Sequence, residues 1–558
     1  VSDDLHSEWA RVFTRALAAS GVSHAVVSPG SRSTPLALAL ASEPEIAVHV
    51  VVDERSAAFF ALGQARISGR PSVVLCTSGT AAGHYLPAVL EAERARLPLV
   101  VLSADRPWEL TDAHANQTLD QTKLFGSHVR AFLELGVPEV AALEAVPRIA
   151  AAAVLRATSP LPGPVHVNAR FRKPLEPVAS HGDEAWRAKI KNAPRTFAPA
   201  LAPSDAAIER VAELSRSAER GLVVAGPLVD VRGERSAAAR RLRASLAGFL
   251  RATGFALAAE STSGVLHGAE VDGLALSGFD RWLPPLLDAA DGPDVLIEIG
   301  SPATSGAWQR ALPRFAGRAR VIVTADGIPD PHGTATDVVI ADAADLFDRV
   351  SAKLSGTPAS TWRETLARHA TEAHAAPDSV RLDEPTLVRR VVSTLPSPAV
   401  LMLGNSGPVR DVDVFAGRTS AEVTVLHQRG VSGIDGVIAG AAGARSVATS
   451  PVVALLGDVS ALHDVGSLAT LADVEGPLAV VVVNNGGGRI FERLPVAERV
   501  PRETFERLFL TPPPDFLEHA ARAFGVEYAR ADSIEAFDGA MDRALGSSRP
   551  LLIEGVVR

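Results

Sequence analysis

Two short apolar runs, each ending abruptly in turn residues, constrain this chain more than any other feature. Pro451 to Leu456 runs into Gly457-Asp458-Val459-Ser460, and Leu478 to Val483 runs into Asn484-Asn485-Gly486-Gly487. Ala461 to Val474, between them, has helical character. Strand, helix and strand in one sheet mean parallel strands joined by a crossover. Such a unit sets the polar residues at the carboxyl ends of two buried strands, where open α/β sheets bind ligands. It offers a carboxylate (Asp458), a carboxamide (Asn485) and glycine-rich backbone. Hard oxygen donors of this kind suit Mg²⁺, which shares its shell with phosphate oxygens. The same residues also suit plain turns, because Gly-Asp and Asn-Gly pairs are good turn formers.

The chain has 558 residues, too many for one core, so about three or four domains are expected. A net charge of −9 argues against general attraction to nucleic acid or anionic membrane. Any anionic substrate must then meet a local cluster of Arg. The single cysteine, Cys76, excludes a disulfide framework within the chain and reads as a small buried hydrophobe. The acidic start, Val1 to Glu8, is not a secretory signal, and no run is long enough for a membrane span, so the cytoplasm is the expected location.

The strand-loop-helix theme recurs along the chain. Ala25 to Val27 leads into Ser28-Pro29-Gly30-Ser31-Arg32-Ser33, and Val48 to Val52 into Asp53-Glu54-Arg55. Val73 to Cys76 leads into Thr77-Ser78-Gly79-Thr80. Leu99 to Leu102 is followed by Asp105-Arg106-Pro107 and a polar loop with His114, Asn116, Gln117 and Gln121. From the residues alone, Arg32 is either a carboxylate grip or a solvated loop residue. The Asp53-Glu54 pair holds either helix caps or a buried acid. In the middle, Leu222 to Pro227, Val295 to Gly300 and Val321 to Asp326 form three strand-plus-turn units of Rossmann-like type. None carries a complete Gly-x-Gly-x-x-Gly fingerprint, so no dinucleotide site is expected. Later, Val400 to Gly404 delivers Ser406 and Arg410, and Glu422 to Leu426 delivers Arg429, Ser432, Gly433 and Ile434. The expected fold is α/β, with three doubly wound parallel-sheet domains over 1–180, 200–350 and 380–558. Residues 174–203 and 351–379 read as connectors.

Taken together, Ser28 to Ser33, Asp53-Glu54-Arg55, Thr77 to Thr80, Ala104 to Pro107, and Gly457-Asp458 with Asn484-Asn485 resemble the motifs of thiamine diphosphate enzymes. In detail the chain resembles the 2-succinyl-5-enolpyruvyl-6-hydroxy-3-cyclohexene-1-carboxylate synthase (MenD) family. The match runs through nearly the whole chain and is densest at its two ends. It departs at Val459, where many thiamine diphosphate enzymes have Gly.

The resemblance implies thiamine diphosphate and Mg²⁺ (or Mn²⁺) as cofactors. It makes Asp458, Asn485 and the Gly487 carbonyl the metal ligands, and Glu54 the catalytic partner of the pyrimidine ring, favouring its imino tautomer. Ser406, Ser432, Gly433, Gly457, Val459 and Ser460 become cofactor contacts, and Ile434 the wedge that bends the cofactor into a V. Ile490, Phe491 and Leu494 become the apolar wall beside the thiazolium and substrate, although their spacing also suits ordinary amphipathic-helix packing. The implied reaction decarboxylates 2-oxoglutarate and adds the resulting succinyl semialdehyde carbanion to isochorismate. Both substrates are dianions, which fits Arg32, Arg106, Arg410 and Arg429 just after strand ends, with Ser31, Asn116 and Gln117 as polar partners. Relatives usually carry basic residues after the strand ending at Gly300; here only Arg310 is basic, and it is displaced. The family geometry implies a homodimer or tetramer, with Glu54 reaching cofactor held by another chain. The alternatives are another thiamine diphosphate-dependent 2-oxoacid decarboxylase or acetohydroxyacid synthase, or a non-catalytic nucleotide-binding α/β scaffold.

Overall fold

The structure is a computed structural model and describes residues 5–177, 192–229, 233–286, 292–354, 361–374 and 379–557. Parts of the expected connectors 174–203 and 351–379, and the first four residues of the acidic start, lie outside the described residues.

The described strands form three six-stranded sheets. The first holds β1 (His24–Val27), β2 (Ala47–Val50), β3 (Ser72–Cys76), β4 (Leu99–Asp105), β5 (Ala131–Gly136) and β6 (Pro164–Arg170), in the order β2-β1-β3-β4-β6-β5. The second holds β7 (Gly221–Ala225), β8 (Ala256–Ala259), β9 (Ala275–Leu276), β10 (Val295–Ile299), β11 (Ala319–Thr324) and β12 (Asp337–Ile340), in the order β12-β11-β10-β7-β8-β9. The third holds β13 (Ala399–Leu403), β14 (Val423–His427), β15 (Val452–Gly457), β16 (Leu478–Asn484), β17 (Glu527–Ala531) and β18 (Leu551–Val556), in the order β14-β13-β15-β16-β18-β17. The pairings are parallel throughout. The first and third sheets thus share one topology, while the middle sheet has the Rossmann order.

Burial on both faces explains why these strands read as continuous apolar runs. In β7, Val223 and Ala225 join one core cluster while Leu222 and Val224 join another. Successive side chains point to opposite faces, so each face needs its own helices. Each Val or Leu buried this way contributes roughly 1.5–3 kcal/mol.

The chain separates into two compact units. One comprises Val1–Pro199 with Gly430–Val447, the other Ala200–Arg429 with Ala448–Arg558. The segment after β14 therefore packs with the first sheet's unit although it leaves from the third sheet.

In the third sheet the strand order reverses between β13 and β15, β14 being added on one side and β16 on the other. Loops leaving those strands at their carboxyl ends diverge there and open a crevice. The loops after β13, β15 and β16 carry Ser406, Asp458 and Asn485.

Candidate active site

Asp458 opens the helix Asp458–His463 directly after β15 and is only 3% exposed. Its Oδ2 accepts hydrogen bonds from the Gly486 N–H (3.0 Å) and the Gly487 N–H (2.8 Å), and its Oδ1 accepts from the Val459 N–H (2.8 Å). Burial pushes the carboxyl up, and the three amides pull it only part of the way back. The turn it holds needs glycine. Gly487 has φ +122°, and a Cβ there would sit 2.2 Å from the Leu510 carbonyl oxygen.

Asn485 donates its Nδ2 to Glu384 Oε1, which turns its carboxamide oxygen away from that acid. Asp458, Asn485, Gly487, Ser406, Val459 and Ser460 line one recess, with Glu384 and Asp411 on its wall. Among the described residues no group of three or more His, Cys, Asp or Glu could hold a metal. Asp458, Asn485 Oδ1 and the Gly487 carbonyl supply one carboxylate and two neutral oxygens. That set fits a divalent cation that completes its shell with phosphate oxygens and water.

A larger cavity of about 470 Å³ lies in the same unit, lined by Arg310, Arg410, Arg493, Ile490, Leu494 and Asp413, among others. Ile490 lines both spaces. Arg410, in the short helix Gly407–Asp411, donates its Nη1 to the Ser406 carbonyl at 2.6 Å. Arg310 comes from the helix Gly306–Ala311 and enters the cavity wall in spite of its displacement along the sequence. Arg493 sits 3.4 Å from Asp411. Three acids share this wall, the buried Glu260, the half-buried Asp413 and Asp280; loss of solvent pushes the first two up, and Glu260 adds to the push on Asp413. Ile490 and Phe491 lie in the 3-10 turn Arg489–Arg493, which buries none of its residues, so the core-helix alternative for this stretch falls away. Phe491 rests edge-on against Phe509 at 5.8 Å. Arg429 Nη1 donates to Asn405 Oδ1 at 2.9 Å.

The other unit carries the remaining expected residues. Asp53, not Glu54, caps the helix Glu54–Ser68, accepting from the Arg55 N–H at 2.9 Å. Glu54 is half-buried, and its charge helps push up the buried Cys76 thiol and Tyr85 hydroxyl beside it. Arg32 is buried and donates to the Phe171 carbonyl at 2.6 Å. Arg106 donates to the Asn116 carbonyl (2.8 Å) and to Ser78 Oγ (3.1 Å), while Gln117 donates to the Ser78 carbonyl (3.0 Å). Burial first, and the Arg106 guanidinium next, push Arg32 down. Two adjacent cations among amide groups favour an anion, though both guanidinium groups here hold the chain's own carbonyls. Ser31 and Ser432 are exposed, and Gly433 and Ile434 are half-buried in the turn that follows Arg429.

The fold and the motifs define the class. The family described as "Thiamine pyrophosphate enzyme, N-terminal TPP binding domain" matches residues 8–124, and its C-terminal counterpart matches residues 417–555. The chain is a thiamine diphosphate (pyrophosphate) enzyme. A solved structure titled "X-ray structure of a putative thiamin diphosphate-dependent enzyme isolated from Mycobacterium smegmatis" has the same fold, with TM-score 0.75 and 18% identity over all of both chains. A 2-succinyl-5-enolpyruvyl-6-hydroxy-3-cyclohexene-1-carboxylate synthase of Sorangium cellulosum is 46% identical over 99% of this chain and 93% of its own length. Synthases with that name from Natronomonas pharaonis (36% identical, 99% of this chain and 95% of its own) and Myxococcus xanthus (38%, 97% and 93%) agree. The chain belongs to this synthase family.

Two outcomes follow, one at the cavity and one at the recess beside it. Arg410→Ala should lower kcat/KM by about 1.5–3 kcal/mol in activation free energy, the scale of one charged hydrogen bond. Steady-state kinetics on a folded variant check this, and unchanged kcat/KM for both substrates would remove Arg410 from the site. The second concerns Asp411, whose carboxyl is pushed up to about 6, chiefly by burial and then by Glu384. Its unfolded value is about 3.9, so between those values the folded chain binds more protons. Asp411 therefore contributes a loss of stability as pH rises from about 4 to about 6, with no further slope above. Melting curves across that range should show Asp411→Asn lacking this part of the slope.

Proposed function

We propose that this chain condenses 2-oxoglutarate with isochorismate, releasing CO₂ and forming 2-succinyl-5-enolpyruvyl-6-hydroxy-3-cyclohexene-1-carboxylate for menaquinone biosynthesis. The observation that carries the reading is Ile490, which borders both the oxygen-donor recess and the cavity walled by Arg310, Arg410 and Arg493. A metal-diphosphate site beside a cluster of guanidinium groups suits a thiamine diphosphate enzyme with multiply anionic substrates.

Bound thiamine diphosphate supplies the electron sink that lets a 2-oxoacid lose CO₂. Asp458, Asn485 and the Gly487 carbonyl would hold its Mg²⁺ or Mn²⁺, and Ser406, Ser432, Gly433, Gly457, Val459 and Ser460 would border the cofactor. Ile434 would wedge it and Ile490, Phe491 and Leu494 would exclude water beside it. Glu54 would hold and exchange a proton with the pyrimidine ring. Arg410 and Arg429, with Ser31, Arg32, Arg106, Asn116 and Gln117, would orient the substrate carboxylates. Three domains, over 1–180, 200–350 and 380–558, divide these tasks. The working form is a cytoplasmic homodimer or tetramer in which Glu54 of one chain serves cofactor held by another. No described helix is long and apolar enough to cross a membrane.

The test is CO₂ release from 2-oxoglutarate with thiamine diphosphate and Mg²⁺, measured with and without isochorismate. Release coupled to product is expected, with loss of activity on dilution to monomers. Turnover of pyruvate instead would transfer the chain to another thiamine diphosphate activity.

A further inference from the structure

In the first unit, one buried carboxylate joins segments far apart in sequence. Glu91, on the helix Leu86–Ala95, is 2% exposed. Its Oε1 accepts from Arg66 Nη2 at 2.9 Å and from the Gly430 N–H at 3.2 Å, and its Oε2 accepts from the Val431 N–H at 2.9 Å. Arg66 is itself buried and belongs to the helix that starts at Glu54. Gly430 admits no side chain, because a Cβ would lie 2.8 Å from both Glu91 Oε2 and the Ala95 nitrogen. Beyond Val431 the chain has no regular structure until the helix Val437–Arg445, and Ser432 takes φ +62°. A turn in that conformation needs its entry fixed from outside.

We propose that Glu91, oriented by Arg66, is a positioning residue that fixes the backbone at Gly430 and Val431 and so sets the turn Ser432 to Ile434 against the cofactor. The cofactor half of this inference rests on the function proposed above; the joint itself does not. The chemistry calls for an acceptor-only group. Two N–H groups and a guanidinium converge on Glu91, and a carboxylate satisfies all three. Glutamine has the same shape but presents an NH₂ to one of those donors, leaving a buried donor unpaired. Because Arg66 shares its helix with Glu54, the same joint ties the turn bearing Ile434 to the helix bearing the pyrimidine acid.

The test is Glu91→Gln in the full chain, with its fold checked by circular dichroism. Calorimetric affinity for thiamine diphosphate with Mg²⁺ should fall about tenfold or more, the scale of one charge-assisted hydrogen bond. At saturating cofactor, kcat and the KM for 2-oxoglutarate should stay within about threefold of wild type, since uniform binding is what is lost. Hydrogen exchange of the Gly430 and Val431 amides should speed up without any ligand. If Glu91→Gln fails to fold, Gly430→Ala disturbs the same joint from the other side and should give the same selective loss. A folded variant with wild-type cofactor affinity overturns the proposal, as does equal damage to cofactor affinity, kcat and substrate KM. Unchanged amide exchange overturns the joint itself. If the wild-type chain binds no thiamine diphosphate, the function proposed above falls and takes the cofactor half with it, while exchange still decides the joint.

Discussion

Asp458→Ala is expected to abolish Mg²⁺-dependent binding of thiamine diphosphate. Removing the carboxylate takes away the only anionic group among the three proposed metal ligands. Asn485 and the Gly487 carbonyl are neutral, and Mg²⁺ gives up its water reluctantly to neutral oxygens alone. The loss has a second component, because Asp458 also receives the Gly486 and Gly487 N–H groups. Without it the turn that presents the Gly487 carbonyl loses two of its hydrogen bonds and keeps the Arg489 N–H on that carbonyl and the Gly488 N–H on the Leu510 carbonyl. Asp458→Asn separates the two effects, since its carbonyl oxygen still accepts from the turn while the charge is gone. Calorimetry should show no measurable cofactor affinity for Asp458→Ala in Mg²⁺, and strongly weakened affinity for Asp458→Asn. Wild-type affinity in Asp458→Ala would refute the metal assignment, and the neighbouring acid Glu384 would become the group to examine.

How far the sequence carries can be seen strand by strand. β15 and β16 are legible because both faces are buried, so their apolar runs are unbroken and end sharply before Asp458 and Asn485. β5 and β17 are not, because they are edge strands with exposed positions and carry Glu134, Glu527 and Arg530. β8 is Ala256-Leu257-Ala258-Ala259, and alanine has little β preference, so tertiary packing makes it a strand. β9 spans two residues, too few for any pattern. With β12, β8 and β9 complete a Rossmann order that three visible units only suggested. Within the site, Asp458 and Asn485 announced themselves by position. Arg310 looked too far along its loop, yet a short helix capped by Ser305 returns it to the cavity wall. Arg493 sits inside an apparent amphipathic stretch and reaches the cavity only because that stretch is a 3-10 turn. Glu384 lies 101 residues from Asn485, and no local pattern links them. Glu260 has a readable signal, an acid closing the alanine-rich run Ala256 to Ala259.

Glu54→Gln should leave the fold and cofactor affinity close to wild type while lowering kcat by about 10²–10⁴, the usual contribution of a positioned acid-base group. The structural half of this expectation rests on Asp53. Asp53 caps the helix Glu54–Ser68, so Glu54 is released from the duty its position would otherwise suggest. A carboxamide in its place keeps the shape and loses only the exchangeable proton. The chemical half rests on what surrounds it. The neighbouring Cys76 and Tyr85 are buried and held protonated, so neither is ready to substitute as a base. Solvent is a poor stand-in at a half-buried position. The measurement is kcat at saturating thiamine diphosphate and Mg²⁺, beside a calorimetric titration of the cofactor. Reduced kcat with preserved affinity assigns proton exchange to Glu54. Weakened affinity with preserved kcat would make it a binding contact only, and full activity would leave the first unit's strand ends without a catalytic acid.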